Sequence, residues 1–339
     1  MPVLNIAMVG SDVLATEIAK STETRDVQTY VHKEMIGDEQ NILSIIRPVK
    51  YPDKLRPFLS ALSVAEVGMI EIEALDKYFG EILIAFASSG ITKGLYVINP
   101  PNGGWIDPDQ VKLMFEQVGL SQWRESSRDA IILREEFYSI LEEIKPHLVE
   151  ISKQPLAIAV DQYFQVKGIG LVVIGYVQSG KVSVHDRLSV FPSGGSAEVK
   201  SLQVMDADVT QSFSGDRVGL ALRNGNASDF SNGCILTHPE ILAKSGEVEQ
   251  STGVEKHMIS TSEIQYSPFQ KKRVSVGDVV HASLDLQFVV GRVTNASEIC
   301  EIEWENPFVV RTSELKNILL TQLDSVPRIL GEIRLIRKK

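Results

Sequence analysis

At 339 residues, 43% hydrophobic and 23% charged, the chain has the composition of a globular protein too long for one ordinary core, which suits two or three domains. Its net charge of −10, concentrated in the first 150 residues, excludes an overall basic nucleic-acid footprint. Cys234, Cys300 and six scattered histidines offer no metal-ligand spacing, and neither a signal-peptide pattern nor an apolar run of membrane-span length (roughly 18–20 residues) is present, so the expectation is a cytoplasmic protein with buried free thiols, no metal and no membrane.

Val3–Val9 reads as a short buried strand running into Gly10-Ser-Asp-Val-Leu-Ala-Thr-Glu17 and an amphipathic helix. A phosphate-binding loop at this place needs Gly-x-x-x-x-Gly-Lys-Ser/Thr, with glycines that let backbone amides curl around phosphate, a lysine for the β/γ-phosphates and a hydroxyl for Mg²⁺. Only Gly10 survives: Ala15 stands for the second glycine, Thr16 for the lysine, and Glu17 puts a carboxylate where the hydroxyl belongs. A carboxylate beside a triphosphate is repulsive unless a metal bridges the two.

Further strands are predicted near 27–33, 41–47, 67–72 and 94–99, and helices near 12–20, 52–62, 76–89, 108–118 and 129–144. Asp53, Asp76 and Asp107-Pro108 supply the helix-start signals. Alternating strands and helices imply a mostly parallel, doubly wound sheet covered on both faces. Glu135-Glu136 and Glu142-Glu143 read as solvated helix charges, and Trp105 and Trp123 as core or edge packing, with base stacking as the sharper alternative.

After Pro146 the pattern changes to short β-branched segments: Gly170–Val177, Val182–Phe191, Val218–Leu222, Val279–Leu286 and Glu332–Ile336. Turn residues recur between them, as in antiparallel barrels. An apolar-poor stretch, Ala243–Glu255, divides this half in two. The expected domains are therefore 1–147, 152–242 and 255–339: a degenerate P-loop-like α/β domain followed by two β-barrels.

Gly168-Ile-Gly170-Leu-Val-Val-Ile-Gly175-Tyr-Val-Gln-Ser-Gly180, Ser214-Gly-Asp-Arg-Val-Gly-Leu-Ala-Leu-Arg223 and Asp229-Phe-Ser-Asn-Gly-Cys-Ile-Leu236 stand in order along the first barrel. Together they resemble domain two of the translational GTPases of EF-Tu and SelB type, with His185 replacing a family glycine. The closing Val326-Pro-Arg-Ile-Leu-Gly-Glu-Ile333 is loosely similar to the end of the family's third domain. The apolar skeleton of the first domain aligns as well. That alignment puts the D-x-x-G motif at Arg47–Lys50, both diagnostic positions being cations, and the N-K-x-D motif at Asn99-Pro-Pro-Asn102, where only Asn99 is kept. Switch one has no recognisable threonine, and residues 20–42 are too few for a normal one.

The resemblance implies a pseudo-GTPase similar to SelB-like proteins of methanogenic archaea: not an enzyme, with no cofactor and no bound guanine nucleotide. By the same resemblance its barrels bind tRNA, other RNA or the ribosome, with a protein–protein scaffold using the pseudo-GTPase surface as the alternative. Candidate RNA contacts are Lys271-Lys272-Arg273 and Arg334, Arg337, Lys338 and Lys339. Arg47, Lys50, Lys54 and Arg56 form a further cluster, suited to an RNA phosphate or to pairing with Glu17 across the empty site.

Overall fold

A computed structural model describes residues 1–242, 248–313 and 316–337, without the side chains of residues 102, 242 and 248–250. Seven strands, β1 Val3–Val9, β2 Lys20–Thr24, β3 Val27–Ile36, β4 Glu39–Pro48, β5 Val67–Ile72, β6 Gly94–Ile98 and β7 Arg124–Glu125, form one sheet in the order β2-β3-β4-β1-β5-β6-β7. The two pairings at the β2 edge are antiparallel, and the rest are parallel. Five helices cover it: α1 Asp12–Ile18, α2 Arg56–Val64, α3 Lys77–Ser89, α4 Pro108–Gln117 and α5 Ala130–Ile151. Side chains of β1 alternate between two cores. Ala7 meets α2, α3 and α4, while Leu4, Ile6 and Met8 meet α1 and α5.

Asp76, Asp107 and Asp129 cap α3, α4 and α5 by accepting backbone N–H groups of the first turn. Asp53 does not start a helix. Residues 49–53 form a turn, and α2 begins at Arg56 with Pro57 in its first turn. α5 runs through Pro146 to Ile151 rather than stopping near 144, because Leu148 continues its buried face. The span expected to be too short for a switch is largely the β2–β3 hairpin.

The first barrel uses β8 Ala157–Val166, β9 Gly170–Ser179, β11 Arg187–Phe191, β12 Gly195–Val204, β15 Arg217–Arg223 and β16 Ile235–Thr237. The order β11-β16-β8-β9-β15-β12 is closed by a β11–β12 pairing. β13 Ala207–Val209 extends β12, and the short β10 Lys181–Ser183 pairs with β14 Gln211–Phe213. The expected single strand 182–191 is split at His185, whose φ of 75° lies in the left-handed region that a glycine enters freely. The stretch Ala243–Glu255 is not wholly irregular: β17 Ile241–Leu242 pairs with β18 Val248–Gln250, residues 243–247 being outside the description. The second closed barrel follows the order β19-β22-β21-β20-β23-β24. These strands are β19 Val254–Tyr266, β20 Val279–Leu284, β21 Gln287–Ala296, β22 Cys300–Arg311, β23 Ile318–Thr321 and β24 Ile329–Leu335. Among the described residues no helix is long and apolar enough to cross a membrane.

Candidate functional site

The loop between β1 and α1 closes on itself. Ser11 caps α1, its Oγ accepting the Leu14 N–H at 3.1 Å, and the Ala15 N–H bonds the Ser11 carbonyl at 3.3 Å. The Ser11 N–H donates to Glu71 Oε2 at 2.7 Å. Glu71 Oε1 accepts from Asn99 Nδ2 at 2.8 Å and from Arg128 Nε at 2.9 Å. The Glu71 side chain is fully buried near the end of β5. Burial alone would raise its pKa; hydrogen bonds from Ser11, Arg128 and Asn99 outweigh this and hold the carboxyl below the ordinary value. A buried anion therefore binds the Ser11 amide of the loop and Asn99 together.

Gly10 is needed for this close approach, since a Cβ there would lie 2.9 Å from the Glu71 Cβ and 3.0 Å from the Met8 Cε. The Thr16 hydroxyl donates to the Asp12 carbonyl at 2.8 Å within its own helix, and Ala15 is buried against the core of α5. Glu17 pairs with Arg128 Nη1 at 3.2 Å, while Arg134 donates to the Glu17 and Ile18 carbonyls at 3.2 Å, a cation at the C-terminus of α1. The expected pairing of Glu17 with the 47–56 cluster is thus corrected: its partner is Arg128. Arg47 instead donates from Nε to the Gly10 carbonyl at 2.7 Å and lies 4.0 Å from Asp12. Asn102 sits in a single 3₁₀ turn, Pro101–Gly103, its side chain outside the description. Glu71 and Arg128 belong to no motif. The one signal for Glu71 was a carboxylate inside the otherwise uncharged strand Val67–Ile72.

A second concentration of charge lies where the three units meet. A cleft of about 930 Å³ is lined by Lys50, Lys54 and Arg56 of the α/β unit, Asn232 of the first barrel and Phe288 of the second. Arg25, on its wall, is already paired with Glu23 at 2.9 Å and Asp161 at 2.7 Å, and Arg217 joins the same carboxylates at 2.7 and 3.2 Å. Lys50, Lys54 and Arg56 have no ion pair among the described residues. Arg56 lies 5.8 Å from the centre of the Phe288 ring.

The other candidate cations do not converge. Lys271, Lys272 and Arg273 follow the end of β19 that pairs Tyr266 with Gly331, whereas Arg334 and Arg337 lie toward the other end of β24, where Leu335 pairs with Ser262. Arg334 is bonded to Glu332 at 3.1 Å and Arg337 to Glu255 at 3.2 Å. Lys338 and Lys339 lie outside the described residues. Trp123 is buried, as expected, but Trp105 is 79% exposed on a Gly103-Gly104 turn, against the expectation of packing.

The three units are tied by buried and part-buried contacts. Arg328 binds Glu81 of α3 through Nη2 at 2.5 Å and Nε at 3.0 Å, and Pro52 O at 2.9 Å. Lys316 donates to the Ser63 and Ala65 carbonyls at 2.8 and 3.2 Å, and Asn5 Nδ2 to the Gly215 carbonyl at 2.7 Å.

Residues 170–237 match the family model for elongation factor Tu domain 2. An uncharacterized protein of Methanocaldococcus jannaschii is 28% identical over 94% of this chain and 92% of its own length. The selenocysteine-specific elongation factor of the same organism is 27% identical over 58% of this chain. SelB of Methanococcus maripaludis, in complex with a GTP analogue, aligns with the whole chain at a TM-score of 0.74 and 19% identity. This chain is SelB-like. The bacterial selenocysteine-specific factor gives the same TM-score at 17% identity, a likeness of fold. The SelB-like chain spans 44% of the length of the M. jannaschii selenocysteine factor and 59% of the bacterial structure, against 80% of the M. maripaludis structure.

Proposed function

We propose that this SelB-like chain is a non-catalytic, translation-factor-like cytoplasmic protein that has lost guanine-nucleotide binding and holds RNA, whether tRNA, another RNA or the ribosome. In this reading residues 1–147 act as a support for two barrels, 152–242 and 255–339. The observation that carries it is Glu71, whose carboxylate takes the loop N–H and Asn99 together. A phosphate entering there would meet a buried negative charge and a loop whose Leu14 and Ala15 amides are already bonded. No lysine stands ready to replace that loss, because Thr16 occupies its place and is bonded within α1.

For RNA, the support is Lys50, Lys54 and Arg56, unpaired cations in a chain of net charge −10, gathered on a concave wall that both barrels help to build. Lys271, Lys272 and Arg273 come second as candidate contacts; Arg334 and Arg337, already bonded to carboxylates, come last. Calorimetry with GTP and GDP in the presence of Mg²⁺ tests the first half: no heat of binding is expected at concentrations of about 100 µM, and micromolar affinity would overturn it. Gel-shift titration with total tRNA tests the second half. Binding at low salt that is lost when Lys50, Lys54 and Arg56 are reversed to glutamate is the expected result. No shift at low salt leaves the protein-scaffold role as the better reading.

A further inference from the structure

A cleft of about 390 Å³ opens where the end of α3, α5 and the two barrels come together. Its mouth carries the exposed Thr92, Glu143 and His147, and its inner wall the buried Gln178, Ser214 and Arg311. That volume suits a small ligand and exceeds what one water fills. Gly90, with φ 80°, ends α3 here, and a Cβ on it would lie 3.3 Å from Asn317 Nδ2. The segment that carries Lys316 therefore packs directly on the end of the helix.

Two buried side chains on this wall lack partners. Arg311 is 4% exposed; its Nε and Nη2 hold Asp285 at 2.7 and 3.0 Å, while Nη1 bonds nothing. Gln178 is 9% exposed, and its side-chain amide makes no hydrogen bond among the described residues. Gln178 is also the extra residue of a β-bulge. Ala157 pairs with Ser179 and Ile158 with Val177, which leaves Gln178 unopposed, and a bulge re-aims the side chain it carries. Buried polar groups without a partner are rare, and two on one cleft mark a site whose occupant supplies the missing bonds.

The free groups are mainly donors. Lys316 Nζ gives N–H groups to the Ser63 and Ala65 carbonyls at 2.8 and 3.2 Å and keeps a third, beside Arg311 Nη1 and the Gln178 amide. Glu66, the carboxyl on the same wall, already accepts the Asn5 N–H through Oε2 at 3.0 Å. Asp285 balances Arg311, and Glu143 takes Lys93 at 2.9 Å, so the charge inside the cleft rests on Lys316 and Glu66. These two interact at a distance without an ion-pair contact among the described residues, and burial raises the pKa of Glu66 while lowering that of Lys316. Both partners of this separated pair thus lack solvation that a polar occupant restores.

We propose that this cleft binds one small oxyanion, a carboxylate or inorganic phosphate, between Arg311, the Lys316 ammonium and the Gln178 amide. With Glu66 ionised the cleft is neutral; with Glu66 protonated it holds one spare positive charge. The folded pKa of Glu66, about 7, lets that proton enter together with the anion near neutral pH. The charged groups around Glu66 are Lys316, Arg311 and Asp285 of the second barrel, and Lys93, Glu143 and the titratable His147 of the α/β unit. The proposal is independent of the RNA and nucleotide readings, since it uses none of Glu71, Lys50, Lys54 or Arg56.

The test titrates the full chain by calorimetry with sodium acetate and, separately, with sodium phosphate, at constant ionic strength. Binding of either at about 1 mM near pH 6 is expected, and which of the two binds more tightly separates a carboxylate from a phosphate ligand. Gln178→Leu and Lys316→Met should each weaken binding by about tenfold or more, and either is sufficient if the other does not fold. At about pH 8 the protonated fraction of Glu66 is about tenfold lower than near pH 6, so Glu66→Gln should there bind about tenfold more tightly than the parent. His147→Gln should behave as the parent does. No heat from either anion at about 10 mM overturns the proposal and leaves water as the occupant. Binding that survives in the folded variants of Gln178 and Lys316, or a Glu66→Gln variant that matches the parent at about pH 8, also overturns it. So does binding lost on reversal of Lys50, Lys54 and Arg56 to glutamate, which would assign the anion to the three-unit cleft.

Discussion

Glu71 carries two consequences that can be separated from its neighbours. Its carboxylate serves three donors in a fully buried position, so Glu71→Gln sets an amide N–H against at least one donor. An unsatisfied buried group costs about 1–3 kcal/mol, which urea unfolding at pH 7 should register; Glu17→Gln, on the surface ion pair with Arg128, should cost about 0–1 kcal/mol. The two acidic residues near β5 also respond to pH with opposite signs. Glu71 has a lowered folded pKa, so its stabilisation is present above the ordinary carboxyl value and is lost as pH falls through the folded value. Glu66 is pushed up to about 7, by burial first, despite nearby Lys316 and the Asn5 N–H bonded to its Oε2 at 3.0 Å. Its contribution is complete below about 4.5 and is lost as pH rises through 7. Glu66→Gln should therefore gain stability relative to the parent between pH 5 and pH 8, on the order of 2–3 kcal/mol, measured by urea midpoints at the two pH values. An unchanged difference would show that Glu66 ionises normally.

Between elements, Arg328 and Glu81 join α3 to the turn before β24. Arg328→Ala removes two guanidinium contacts to Glu81 and one to the Pro52 carbonyl, and leaves Glu81 without a cation, held by the residue-328 backbone N–H at 3.1 Å and the Tyr51 hydroxyl at 3.0 Å. Breaking one side of a buried pair costs about 3–5 kcal/mol; partial exposure of Arg328 brings the expectation to about 2–3 kcal/mol, with the second barrel losing protection from hydrogen exchange first. Which elements could be read from the sequence follows from what each one buries. β1, β5 and β6 are buried on both faces, and the helices α3 and α4 start at aspartates, so apolar runs and caps gave them away. β2 is an edge strand, Lys20-Ser-Thr-Glu-Thr24, exposed along nearly its whole length, and without a buried face it has no alternation to detect. Pro146 suggested an end to α5, yet Leu148 still packs on the core, so tertiary burial overrode the local signal. The phosphate-loop defects at Ala15, Thr16 and Glu17 were legible because a motif fixes their spacing. Glu71 and Arg128, which fill the site, were not, because 57 residues of sequence separate partners that meet only in the folded sheet.

At the scale of the whole molecule, the barrels' short glycine-bounded strands were readable while their docking was not. Asn5 with Gly215 and Lys316 with Ser63 join positions more than 200 residues apart. Those contacts bear on whether the chain can switch. A ligand shifts a conformational equilibrium only through its differential affinity for two states. Here the loop amide is held by Glu71, and Arg47, which stands in the phosphate-sensing segment, is bonded to the Gly10 carbonyl. On the proposed reading nucleotide has no differential contact through which to rotate the α/β unit against the barrels, and a fluorescent donor–acceptor pair across that junction should give the same transfer efficiency with GTP, with GDP and with neither. RNA binding, if it runs through the three-unit cleft, has its own signature. Lys50, Lys54 and Arg56 make about three phosphate contacts available, and each releases roughly 0.7 of a counterion from a single strand, so log K should fall with log salt at a slope of about −2. Reversing the three to glutamate should remove most of that slope along with the affinity. The same reversal at Arg334 and Arg337, already bonded to Glu332 and Glu255, should leave the slope nearly intact. A slope that instead follows Arg334 and Arg337 would move the RNA surface from the cleft to the far end of the second barrel.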